Sequence, residues 1–216
     1  MVKCARIWPK FQSCGLLNLS ILGAFMFESY FITPEVLQTL NAKEFEACLT
    51  RVFKTHAPNR ACLRQADTSP PFSPAFYSAF ARLCHAFKIT AYLNLQTPQQ
   101  SLDCALEYGF RGVHLKSHAL DFVLKIPQNL QSFYSAHSVK EVQQALDLGV
   151  HFCTLSPIFA TPDKPPPLGL DYLQALSPEL KAHVFALGGI TTHEQIELVK
   201  NLHIKGFASI RYFLND

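Results

Sequence analysis

TAYLNLQTPQQSLDCALEYGFRGVHL, residues Thr90–Leu115, decides the fold class. Thr90–Asn94 is a short run of β-formers. Pro98–Tyr108 carries a helical pattern and stops at Gly109, a residue suited to a helix C-cap. Gly112–Leu115 is a second apolar run. Strand, helix and strand within so few residues describe a βαβ unit with parallel strands.

The same alternation continues in both directions. Strands are predicted at Tyr30–Thr33, Ala61–Arg64, Thr90–Asn94, Gly112–Leu115, Ser132–His137, Phe152–Ser156, Val184–Gly188 and Gly206–Ile210. Between them, Glu44–His56 puts Phe45, Leu49, Val52 and Phe53 on one stripe. Pro74–Phe87 does the same with Phe76, Phe80, Leu83 and Phe87. Ser138 with Glu141, and Thr192 with Gln195, open two further helices and have capping-box spacing. Ser117–Pro127 leaves room for one helical turn only. Eight strands in this order predict a single (β/α)8 TIM barrel over residues 26–216. A doubly wound sheet would need a glycine-rich phosphate turn early in the chain, and neither G-x-G-x-x-G nor a Walker loop occurs.

Both ends depart from the pattern. After Ile210 too few residues follow for the usual covering helix, so the last helix is truncated and an open seam is expected between the eighth and first strands. Residues 1–25 read as an N-terminal extension outside the barrel, from an upstream, misassigned start. Lys3, Arg6 and Lys10 before an apolar run imitate a signal peptide. That run is too short and interrupted to span a membrane. Three accounts of the seam stand open: a helix over Leu16–Phe27, a homodimer contact, or an extension that is not translated.

Composition narrows the function. The chain of 216 residues is 49% hydrophobic and 16% charged, with a formal net charge of +3. That balance, without a dense Lys/Arg cluster, argues against nucleic acid as a partner. Seven cysteines, an odd number without a C-x-x-C pair, read as reduced thiols in a cytoplasm.

In such barrels the chemistry sits where strands end. Those positions hold Arg64, Asn94, His114, Lys116, His118, Ser135, His137, Thr161, Lys164, Gly188, Gly189 and Arg211. Gly188–Gly189 lets backbone N–H groups approach an anion, or makes an ordinary tight turn. Arg211 offers a planar fork to phosphate, or is a solvated arginine. Lys164 lies in the proline-rich loop Pro157–Pro167, which would reach over the mouth. His137, beside Ser135 and Ser138, can serve as a general acid/base, or simply bond the backbone. No aspartate partner for a Ser-His-Asp triad is visible. His114 and His118 lie on a strand end, a poor geometry for a metal pair.

Taken together, these segments resemble the thiamine phosphate synthase and thiazole tautomerase (TenI-like) family. Tyr30-Phe-Ile-Thr33 resembles its opening strand, and Leu63-Arg64 part of its Q-L-R-x-K strand. Gly112-Val-His-Leu115 is similar to G-V-H-L, and Ser135-Ala-His-Ser138 to S-x-H-S/T. Pro157-Ile-Phe159 with Thr161 and Lys164 resembles P-I-F-x-T-x-T-K. Ala186-Leu-Gly-Gly-Ile190 is similar to A-I-G-G-I. The resemblance runs from Tyr30 to Arg211.

The resemblance implies a small phosphorylated thiamine precursor as ligand. It implies His137 as proton carrier, with Arg64, Asn94, Ser135, Thr161, Lys164, Gly188, Gly189 and Arg211 around substrate and phosphate. Its synthases hold magnesium for pyrophosphate on carboxylates after the third and fourth strands. Here those positions are Leu95 and Ala119. Cys62 and Ala66 replace the glutamine and lysine of Q-L-R-x-K, Asp163 replaces the second threonine, and Arg211 the terminal serine. Without carboxylates a magnesium site is not expected. The expected activity is a cofactor-free tautomerase-like isomerisation of a thiazole phosphate. A divergent, magnesium-using synthase and a non-catalytic phosphate-binding barrel are the alternatives.

Overall fold

The computed structural model describes residues 26–66, 69–162 and 164–214. Eight parallel strands close into a barrel in sequence order. They are β1 Glu28–Ile32, β2 Arg60–Arg64, β3 Thr90–Asn94, β4 Gly112–Leu115, β5 Gln131–Ala136, β6 Phe152–Leu155, β7 Val184–Ala186 and β8 Gly206–Ser209. The helices are α1 Ala42–His56, α2 Pro74–Ala86, α3 Pro98–Tyr108, α4 Val139–Asp147, α5 Leu170–Gln174, α6 Pro178–Lys181 and α7 His193–Lys200. Between β4 and β5 a 3-10 turn, Leu120–Lys125, stands in for a helix. The expected fold is present. No helix among the described residues is long and apolar enough to cross a membrane.

Strand alternation divides the apolar residues into two cores. Outward-facing Phe31, Leu63, Leu93, Val113 and Tyr134 join the helical layer. Inward-facing Tyr30, Cys62, Tyr92, Phe133, Phe185 and Ala208 fill the barrel itself. Phe133 lies at its centre, 4.5 Å from Tyr30, 5.0 Å from Tyr92 and 5.2 Å from Phe185, ring centre to ring centre. Such a barrel is a packed solid, so a ligand is left the two poles.

Local chemistry sets the element ends. Thr192 and Gln195 form the expected capping box. At Ser138 only half of it forms. The Ser138 hydroxyl accepts from the Glu141 N–H, but the Glu141 carboxylate accepts from the His137 N–H at 2.8 Å. The expected strands over Ser132–His137 and Val184–Gly188 stop short, at Ala136 and Ala186. Gly188 and Gly189 have φ of 95° and 70°, which breaks the extended run.

The expected open seam is closed from within the chain. Tyr212–Leu214 makes one 3-10 turn and seats Phe213, 2% exposed, over the outward faces of β1 and β8. Its ring lies 5.3 Å from Phe31 and 5.8 Å from Phe207. One buried phenylalanine thus takes the place of a helix. Residues 1–25, and with them most of the helix expected over Leu16–Phe27, lie outside the described residues. Phe27 itself stacks on Phe207 at 6.0 Å.

Candidate functional site

The C-terminal mouth is polar on one side. β2 to β6 present Arg64, Asn94, His114, Ser135 and Thr154 along a continuous inward arc. The opposite wall carries Ile32, Leu187 and Ile210. Two polar atoms on the arc, Asn94 Oδ1 and Thr154 Oγ1, are buried without a partner. Unsatisfied buried acceptors are rare and costly.

His114 anchors the arc from below. Its Nδ1 lies 3.1 Å from the Tyr30 hydroxyl and its Nε2 3.0 Å from Ser135 Oγ. Burial, and then the nearby Arg64 charge, push the imidazole down to about 3. It is therefore neutral, with one nitrogen donating and the other accepting. Both nitrogens are taken, so His114 cannot pair with the exposed His118 on a metal. Burial also lifts the Cys62 thiol to about 12, which keeps it protonated beneath the mouth. Arg64 has its backbone fixed, its N–H donating to Thr33 Oγ1 and its carbonyl accepting from Gln38. Its guanidinium bonds no acceptor among the described residues.

His137 follows β5 and is exposed. Its Nδ1 lies 2.9 Å from the Ser156 carbonyl oxygen. A carbonyl only accepts, so Nδ1 carries a proton and the neutral ring keeps its lone pair on Nε2. The Glu141 carboxylate holds the same residue's backbone. Imidazole orientation is thereby set from two sides.

The β6 and β7 loops are laced together. Ile158 N–H donates to Leu187 and Phe159 N–H to Gly188. A side chain at Gly188 would lie 2.8 Å from Pro157, and one at Gly189 2.7 Å from Ala160 O, so this approach requires glycine. The N–H groups of Gly188 and Gly189 have no acceptor among the described residues. Ser209, which sequence reasoning passed over, ties β8 in by donating to Ile190 O at 2.7 Å. Thr161 spends its hydroxyl on Phe159 O, 3.1 Å away. The side chains of Lys164 and Arg211 are exposed and bond no described residue. Asp163 lies outside the described residues.

Leu95 and Ala119 face one small cavity of about 10 Å³, lined also by Gln96, His114, Lys116 and His118. It holds no carboxylate, and among the described residues no group of His, Cys, Asp or Glu could hold a metal. These residues do not fit a magnesium ion, which prefers carboxylate oxygens.

The closed barrel, with a held histidine and unpartnered backbone N–H groups at its C-terminal mouth, defines the class by its architecture: a single (β/α)8 barrel. The sequence profile described as thiamine monophosphate synthase matches residues 29–213. The chain belongs to that family, whose reactions lie in thiamine biosynthesis. Among its relatives, a candidate thiamine-phosphate synthase 2 of Aquifex aeolicus is 35% identical over 127 residues, covering 57% of this chain and 68% of that protein. The thiamine-phosphate synthase of Syntrophomonas wolfei is 31% identical over 117 residues, covering 50% and 54%. The chain thus spans about two thirds of the first relative's length and half of the second's. A solved structure of thiamine phosphate pyrophosphorylase from Pyrococcus furiosus superposes with a TM-score of 0.66 over 85% of each chain, at 18% identity. That likeness concerns the fold.

Proposed function

We propose that the protein binds a phosphorylated thiazole at the C-terminal mouth and isomerises it by metal-independent proton transfer through His137. The observation that carries this reading is the hydrogen bond from His137 Nδ1 to the Ser156 carbonyl, which leaves Nε2 as the exposed base. Nε2 takes a proton from one position of the thiazole and the imidazolium returns one to another, so the count closes without a cofactor. Unpartnered N–H groups at Gly188 and Gly189 supply the phosphate end, and Arg64 adds charge over the arc. Asn94 and Ser135 face the ring. Lys164 and Arg211 reach the phosphate from exposed positions, and Thr161 shapes the loop between them. Five free thiols among the described cysteines support a reducing, cytoplasmic setting.

A second reading is favoured by the relatives, which are named thiamine-phosphate synthases. It is a divergent synthase joining a thiazole phosphate to a pyrimidine pyrophosphate. Assaying tautomerisation and condensation side by side, each with and without magnesium, separates the two. His137→Asn should lower tautomerisation turnover by about a hundredfold or more, the usual weight of a general acid/base. Phosphate affinity should change little. Unchanged turnover in the variant would leave His137 a structural residue.

A further inference from the structure

The opposite, N-terminal pole holds a cavity of about 300 Å³ between the ends of α2 and α3 and the starts of the neighbouring strands. Its polar lining is Arg60, His85, Thr90, Arg111 and Gln131, without a carboxylate. Two of these groups, Arg60 and Gln131, are oriented by their other bonds. Arg60 donates through Nε to Glu28 at 2.5 Å and through Nη1 to Tyr92 and to Gln131 Oε1. Gln131 Oε1 also accepts from the Tyr92 hydroxyl at 2.5 Å. An arginine only donates, so the Gln131 oxygen is identified, and its Nε2 points elsewhere as a donor. Neither Gln131 Nε2 nor Arg60 Nη2 bonds an acceptor among the described residues. The Arg111 guanidinium has one long bond, 3.4 Å, to the Asn129 carbonyl.

Charge points the same way. Burial pushes the Glu28 carboxyl up, but its bonds to Arg60 and Lys205 outweigh that and leave it lowered. One carboxylate is thus shared by two cations, and Arg111 adds a third. Beside the cavity, His151 is lowered by burial and then by Arg111, His183 and Arg60. The charges of Arg111 and Arg60 thus reach this imidazole, after burial, as part of its lowering.

We propose that this cavity is a second anion site, separate from the mouth, that takes a phosphate group. Two guanidiniums and an amide N–H₂ line the cavity, donor types suited to phosphate oxygens. The volume is at the small end for a ligand pocket and fits free phosphate or a short phosphomonoester. The site is independent of the reaction proposed for the mouth.

The test uses the full chain, ¹⁵N-labelled, titrated with inorganic phosphate and, separately, with glycerol 3-phosphate. Amides of Ala91, Gly109 and Arg111 report this pole, and those of Gly188 and Gly189 report the mouth. Saturable shifts at the pole are expected. Arg111→Gln, at an exposed position, should weaken them about tenfold or more while leaving any mouth shifts unchanged. Tighter binding of the ester than of phosphate assigns the site to a metabolite, and the reverse to the free ion; either agrees with the proposal. No pole shifts, shifts unaffected by Arg111→Gln, or equal shifts with sodium chloride at matched ionic strength would overturn it. Because the two poles have separate reporters, failure here is distinguishable from failure of the mouth reading.

Discussion

His114 makes the stability of this barrel fall in mild acid. The folded protein keeps this imidazole neutral down to about 3, against an ordinary value of 6.5. A lowered histidine binds fewer protons folded than unfolded. Its contribution is therefore complete above 6.5 and is lost as pH falls towards 3. Over the interval from about pH 7.5 to 5, the unfolded chain gains a proton that the folded chain refuses, which costs about 2 kcal/mol. For a domain of this size that corresponds to a fall in Tm of about 4–8 °C. The assay is urea unfolding of the wild type and of His114→Asn across this interval. The amide retains a polar group beneath Ser135 and does not titrate. The variant will be less stable at neutral pH, since Tyr30 and Ser135 both bond the imidazole, but its pH slope should flatten by most of that amount. His151, also lowered, is present in both proteins and cancels in the comparison. Parallel slopes in the two proteins would refute the argument and place the neutral form of His114 in doubt.

Gly189→Ala should cost about 1–2 kcal/mol for its left-handed backbone, and more for a methyl only 2.7 Å from Ala160 O. It should also weaken phosphate binding at the mouth, read by calorimetry, whereas an intact affinity would detach the glycine turn from the anion site. Phe213→Ala should lower stability by about 3 kcal/mol, the lower end for a buried phenylalanine because a terminal turn can partly collapse. Denaturant unfolding measures it, and a change below about 0.5 kcal/mol, typical of a surface position, would mean that something else covers the β1–β8 seam.

How far the sequence could be read depended on whether partners were local. Helices such as α3, with proline at one end and Gly109 at the other, carry their signals within a few residues. The strands were legible as runs, but their faces were not. Both sides of a barrel strand are apolar, so Val113 and His114 look alike in the pattern although one faces the helices and the other the interior. His114 therefore read as a mouth residue, when it is buried under the mouth by Tyr30, distant in sequence. Phe213 gives no comparable signal, because the tail is too short for a helix. A single aromatic ring over two phenylalanines achieves what a helix usually does. The Glu141 carboxylate followed the capping-box spacing and went to the adjacent N–H of His137. That diversion, invisible in the motif, helps to set the candidate base.

The two positions at which the family's carboxylates are missing, Leu95 and Ala119, follow different strands yet line the same cavity. Their replacement is therefore one spatial event. Where the resemblance implies the synthases' carboxylates, this chain has a small hollow with Lys116 in its wall, and the proposed reading leaves the His137 side and the glycine turn to serve the ligand. From this we expect magnesium to leave the thermal stability and the turnover of the wild type unchanged. The double variant Leu95→Asp with Ala119→Asp tests the same space in reverse. Two carboxylates close together repel in the metal-free protein, even with Lys116 nearby, so this variant should be less stable without divalent ions and regain stability as magnesium is added. Melting curves over a magnesium titration measure both proteins. A magnesium-dependent rise in the wild-type Tm, accompanied by magnesium-dependent condensation, would overturn the metal-free reading and identify a cation site built from residues other than these two.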